Sequence, residues 1–139
     1  MEQLALLSNR NPKAKGKKSA ARLTKNSKII KTIIGAIQAK KGENILSLDL
    51  RNIHEAVADF FIICEANNQP QIRALSEYVE EQVQEKCGEK PYRQEGYQAM
   101  KWVLIDYVNV VVHIMTPETR NFYKLEDMWS DGKAEKHSD

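Results

Sequence analysis

Three histidines, two aspartates set in apolar runs and two cysteines are the side chains that could do chemistry, and each lacks the company that chemistry needs. His54, His113 and His137 lie far apart in the sequence. His113 shares a strand face with Val111 and Met115, where a histidine is more often a satisfied structural group than a general base. Asp49 and Asp59 fall on different apolar runs, whereas metal-assisted phosphoryl transfer wants paired carboxylates and a Gly-Ser phosphate loop. The loop at Ala66-Asn67-Asn68 carries no glycine, and no P-loop or dinucleotide loop occurs elsewhere. Cys64 sits inside an apolar run and Cys87 ends a helical pattern. Two thiols so placed give neither a disulfide framework nor a zinc site, and they point to a reducing, cytoplasmic setting. No catalytic residue, metal or cofactor is expected.

Residues 101–129, KWVLIDYVNVVVHIMTPETRNFYKLEDMW, have instead the chemistry of a binding surface. Trp102, Tyr107, Tyr123 and Trp129 are large amphipathic side chains of the kind that anchor interfaces, with Asp106, Arg120 and Glu126 among them. Leu104 and Asn109 complete the expected contact set. Aromatics serve structure as well, and the alternative is that Trp102 and Trp129 cover the sheet edge and tie down the C-terminus. Phe122 and Leu125 are expected in the core.

The elements that would position these residues can be read from period and punctuation. Ser27 can cap a helix whose Ile29, Ile30, Ile33, Ile34 and Ile37 repeat at three and four, ended by Lys40-Lys41-Gly42. Residues 45–50 and 57–64 read as strands, the second more deeply buried. A helix over residues 69–87 carries Ile72, Leu75, Val79 and Val83 inside and Glu77, Glu80, Glu81 and Glu85 outside. Asn68 and Pro70 mark its start and Gly88 its stop. Residues 91–95 suit a short edge strand, since Pro91 lacks an amide donor. Alternation at 102–106 and the β-branched run at 108–114 give two adjacent strands, and Thr116-Pro117 opens a last helix. This order implies one α/β domain with a mixed sheet flanked by helices.

The chain has 139 residues, enough for one domain with a sizeable core. No apolar run approaches the ~20 residues that cross a bilayer, and the start does not read as a secretory signal, so a soluble protein is expected. Charge is divided unevenly. Residues 1–26 carry seven cations against Glu2 alone, a net +6, leaving 14 cations against 18 carboxylates, a net −4, in the remainder. The expected organisation is a basic, disordered tail over 1–26, a folded domain over 27–129 and a polar tail over 130–139. The basic segment reads either as a solubilising extension or as a weak phosphate-contacting arm for RNA.

From about residue 27 to 129 the chain resembles the ribosomal silencing factor (Iojap-related) family. The resemblance rests on Trp102 and Asp106, then Val110-Val111-Val112-His113, then Arg120, Phe122, Tyr123, Leu125, Glu126 and Trp129; residues 48–51, 58–63 and 71–74 fit as well. It implies a nucleotidyltransferase-like architecture without the enzyme activity, since a shared fold does not transfer function. It also implies a partner, the large ribosomal subunit met through ribosomal protein L-fourteen, with small-subunit joining blocked when nutrients are short, and a homodimer when free. A large-subunit assembly factor and a nucleotide-handling enzyme are the alternative readings. Two departures stand out. Glu65-Ala66-Asn67-Asn68 replaces a Thr-Gly-x-Ser turn, where Asn68 can still cap. Val108-Asn109 replaces a Gly-Asp pair at the hairpin, and a β-branched residue there is expected to avoid positive φ.

Overall fold

The computed structural model describes residues 23–138. The expected disorder of the basic segment lies, for residues 1–22, outside the described residues. Helix α1 (Lys28–Ala39) buries Ile29, Ile30, Ile33 and Ile37, as its period predicts. Ser27 occupies the cap position, but its hydroxyl accepts from the Thr24 amide at 2.8 Å and leaves the helix amides alone. At Gly42 a Cβ would run into the Ile37 side chain, so only glycine lets the chain cross back under α1.

Helix α2 (Gln69–Cys87) begins where Asn68 Oδ1 accepts from the Gln71 amide at 2.9 Å and ends at Gly88, whose φ of 67° closes the last turn onto the Gln84 carbonyl. Its buried stripe is Ile72, Leu75, Val79 and Val83. The two helices run antiparallel: Gln71 donates to the Lys41 carbonyl near one end, and Cys87 meets Thr32 near the other.

Six strands form one mixed sheet: β1 (Glu43–Asp49), β2 (Phe60–Glu65), β3 (Arg93–Glu95), β4 (Trp102–Asp106), β5 (Val110–Met115) and β6 (Lys133–His137), in the spatial order β3-β4-β5-β2-β1-β6. Among the described residues only β2 and β5 pair in parallel, with Phe60 opposite Val110. The short strand after Pro91 lies at one edge, as its proline predicts. The near-continuous apolar sequences of β2 and β5 follow from burial on both sides. One face, with Ile45, Phe60, Ile62, Val103, Ile105 and Val112, packs against α1 and α2. The other, with Leu48, Phe61, Ile63, Trp102, Leu104 and Val111, carries Leu125 and is flanked by Ile53, Val57, Tyr123 and Trp129.

The C-terminal residues depart from the polar tail expected over 130–139. Strand β6 pairs antiparallel with β1, Glu135 opposite Ser47 and Lys136 opposite Leu46. Gly132 makes this possible, because a Cβ there would sit 2.9 Å from Leu50 Cδ2 and 3.0 Å from the Asp49 carbonyl. The Lys-Ala-Glu-Lys-His sequence has no apolar alternation because the strand is an exposed edge. Among the described residues, no helix is long and apolar enough to cross a membrane.

Candidate partner-binding surface

The hairpin between β4 and β5 is built around a turn that the sequence argues against. Val108 has a φ of 74°, and the Asn109 amide donates to the Tyr107 carbonyl at 2.9 Å, so a three-residue γ-turn centres on a β-branched residue. The expectation that Val108 avoids positive φ is therefore corrected. The surroundings fix the turn: Asp106 Oδ1 accepts from the Val108 amide at 2.7 Å, Tyr107 N donates to the Val110 carbonyl, and the Asn109 carbonyl accepts from the amides of Asp59 and Phe60. Asp106, Tyr107 and Asn109 are buried. The tip is part of the interior, and these three side chains do not face solvent.

Trp102 is also enclosed, at 4% exposure, which corrects its reading as an exposed anchor. Its indole N–H donates to His113 Nδ1 at 3.0 Å, and the Tyr123 ring lies 4.9 Å from the indole. Nδ1 of His113 is an acceptor, so the neutral ring carries its proton on Nε2, which is buried without a hydrogen-bond partner. Burial pushes the His113 pKa down to about 3. His113, with Phe61 edge-on at 4.6 Å, is thus a neutral structural group, as its strand position predicts.

Arg120 and Glu126 are brought together. Arg120 Nε donates to Glu126 Oε2 at 2.8 Å, and its Nη1 reaches the Asn44 carbonyl and, at 3.3 Å, Glu65 Oε2. This buried guanidinium clamps the short helices α3 (Pro117–Tyr123) and α4 (Leu125–Met128) onto the ends of β1 and β2. Thr116 caps α3 by accepting from the Thr119 amide at 3.3 Å, with Pro117 in the first turn, as predicted. Trp129 packs edge-on against Phe61 at 5.8 Å and so contributes to tying down the C-terminal segment.

Of the expected contact set, then, Trp102, Leu104, Asp106, Tyr107, Asn109 and Arg120 are buried, whereas Tyr123, Glu126 and Trp129 are partly exposed. Leu125 is in the core as expected. Phe122 is not: it is 77% exposed. Helix geometry explains the error, because at ~100° per residue Phe122 lies about 200° around α3 from the buried Arg120.

Besides His113, three of the groups that could serve catalysis are engaged in structure. Asp49 is bonded to Arg51 at 2.6 and 2.8 Å, and that hydrogen bonding holds its carboxyl below the usual range. Asp59 is buried and its Oδ2 accepts from the Leu23 amide at 3.4 Å. Burial pushes the Cys64 thiol up to about 12, far from a thiolate nucleophile. Among the described residues, no group of three or more His, Cys, Asp or Glu side chains could hold a metal ion.

Residues 23–139 match the family described as "Ribosomal silencing factor during starvation". The chain belongs to that family. A ribosomal silencing factor from Bacillus subtilis is 37% identical over 103 residues, covering 74% of this chain and 86% of the relative. A crystal structure of a protein from Chromobacterium violaceum aligns with a TM-score of 0.69 at 31% identity, covering 73% of this chain and 83% of that one. A mouse protein named for mitochondrial assembly of the ribosomal large subunit is 34% identical over 74 residues, covering 52% of this chain and 32% of the mouse protein. The single α/β domain read from the sequence is the fold shared with this solved structure from Chromobacterium violaceum.

Proposed function

We propose that this silencing-factor domain binds the large ribosomal subunit through ribosomal protein L-fourteen and represses translation in the cytoplasm by blocking small-subunit joining, above all under nutrient limitation. The observation that supports this most is that the family match spans the whole described domain, sheet, hairpin and C-terminal helices together. Occupancy suffices as a mechanism. A protein contact of ~1,200–2,000 Å² anchors the domain, and its remaining volume clashes with the approaching subunit. Self-association of the free protein as a homodimer belongs to the same reading, as does a weak rRNA contact by the basic N-terminal segment.

Titration into separated subunits tests the mechanism. The yield of joined ribosomes should fall in proportion to large-subunit occupancy, with or without added nucleotide; inhibition by catalytic amounts, or a dependence on added nucleotide, would revive the nucleotide-handling alternative. The mouse relative's name favours a second reading, a large-subunit assembly factor using the same contact. Subunit profiles of growing and starved cells lacking the protein separate the two: an assembly role predicts immature large subunits during growth, and repression predicts excess joined ribosomes in starvation.

A further inference from the structure

Among the described residues, the large apolar side chain that folding leaves most exposed is Phe122, at 77%. A single exposed phenylalanine is ordinary on a protein surface. Two features set this one apart. Its ring stands edge-on to Tyr123 at 4.9 Å and 85°, and Tyr123 in turn lies 4.9 Å from Trp102, which is held by His113. The rings form a ladder from core to solvent, so the outermost one is braced before any partner arrives and loses little rotamer freedom on binding. Beside the ladder, Trp102 and Tyr123 line a groove of ≈ 530 Å³ with Gln94, Glu95, Gln98, Lys101 and Thr119.

The lining of that groove says what would fit it. Glu95 and Lys101 are its only charged side chains, one of each sign, and the other polar groups are neutral amides and hydroxyls. A nucleic-acid backbone is held by several cations acting together, which the lining of this groove lacks. Amides and hydroxyls beside an aromatic ring suit another protein, whose backbone they can hydrogen-bond while an apolar side chain covers the ring. We infer that Phe122 and the adjoining groove are the anchor by which this domain grips a protein on the surface of the large subunit. The inference rests on the ribosome-docking reading and assigns it a surface led by a residue outside the expected contact set.

The test uses the full chain with Phe122→Ser and Phe122→Leu. Binding is measured by co-sedimentation with purified large subunits and, separately, with protein-free rRNA; melting temperature and sedimentation velocity are recorded for each variant. Phe122→Ser should weaken subunit binding about tenfold or more, a loss typical of a central aromatic anchor, while Phe122→Leu retains most of it. Neither variant should alter rRNA binding or melt more than a few degrees from the parent, because the ring contributes little burial. Equal subunit binding by parent and Phe122→Ser overturns this inference and leaves the function standing. A loss confined to rRNA, or to self-association, also overturns it and gives the surface to RNA or to a second copy. Failure of the parent protein itself to bind subunits overturns the docking reading instead.

Discussion

Trp102 and His113 are joined diagonally across β4 and β5 by an indole-to-imidazole hydrogen bond of 3.0 Å, sealed under Tyr123. Trp102→Phe keeps most of the apolar volume but leaves Nδ1 without its donor, and should cost about 1–3 kcal/mol of folding stability. Trp102→Ala adds a cavity and should cost about 3–5 kcal/mol. Urea denaturation distinguishes the two. Any loss of ribosome binding by Trp102→Ala must be corrected for its folded fraction, since the residue supports the surface from beneath.

The same pair predicts a pH dependence. Burial lowers the folded-state pKa of His113 to about 3, below its unfolded value. Between those two pKa values the unfolded chain binds the extra proton, so stability contributed by the neutral ring is complete above about pH 6.5 and is lost as pH falls toward 3. The shift corresponds to about 2 kcal/mol lost on going to pH 5. Asp49, whose pKa is lowered by Arg51, contributes stability above the ordinary carboxylate range that is lost only at more acid pH. A decline in urea midpoint already evident between pH 6.5 and 5 therefore reports His113. A flat profile there would show that the ring is hydrated.

Val108 gives a sharper test because its two simplest replacements reverse their usual order. In ordinary strand or helix backbone Gly is less stable than Ala by about 0.5–1 kcal/mol, but at a positive φ the Cβ is the source of strain. Both substitutions remove the buried isopropyl group, so comparing them isolates the backbone. Val108→Gly should be more stable than Val108→Ala by about 1 kcal/mol, and Asp106→Ala should destabilise by about 1–3 kcal/mol by removing the acceptor for the Val108 amide. Finding Ala above Gly would mean that the chain relaxes the turn.

These residues also mark how far local sequence rules reach. Helix α2 was legible to its ends because Asn68, Pro70 and Gly88 each punctuate locally and its stripe repeats without interruption. The edge position of β3 followed from Pro91, and the structural role of His113 from its apolar strand. What escaped depends on contacts distant in sequence. Residue type marks Trp102 as amphipathic but does not say that Tyr123 covers it. Nothing local distinguishes Phe122 from Tyr123, yet one turn angle sends the first to solvent and the second onto Trp102. Strand β6 has no apolar face to give it away, and its existence depends on the edge that β1 offers. Val108 adopts a conformation its own side chain disfavours because Asp106 and the Asn109 carbonyl, bonded to Asp59 and Phe60, hold it there.

The basic N-terminal segment yields the last prediction. Leu23 is already tied to the domain, its amide to Asp59 and its carbonyl to Arg51, so a deletion should stop at residue 22, one residue before the family match begins. Residues 1–22 carry six cations against Glu2. Removing them retains Leu23 and every residue of the two described sheet faces, and the melting temperature should change by no more than a few degrees. If the cations meet rRNA phosphates, each contact contributes roughly 0.7–0.9 to the slope of log K against log salt. Engagement of about three of them would flatten the slope by about 2 and weaken binding most at low salt. Co-sedimentation of both proteins with large subunits across a salt series measures this, and parallel slopes would leave the segment as a solubilising extension.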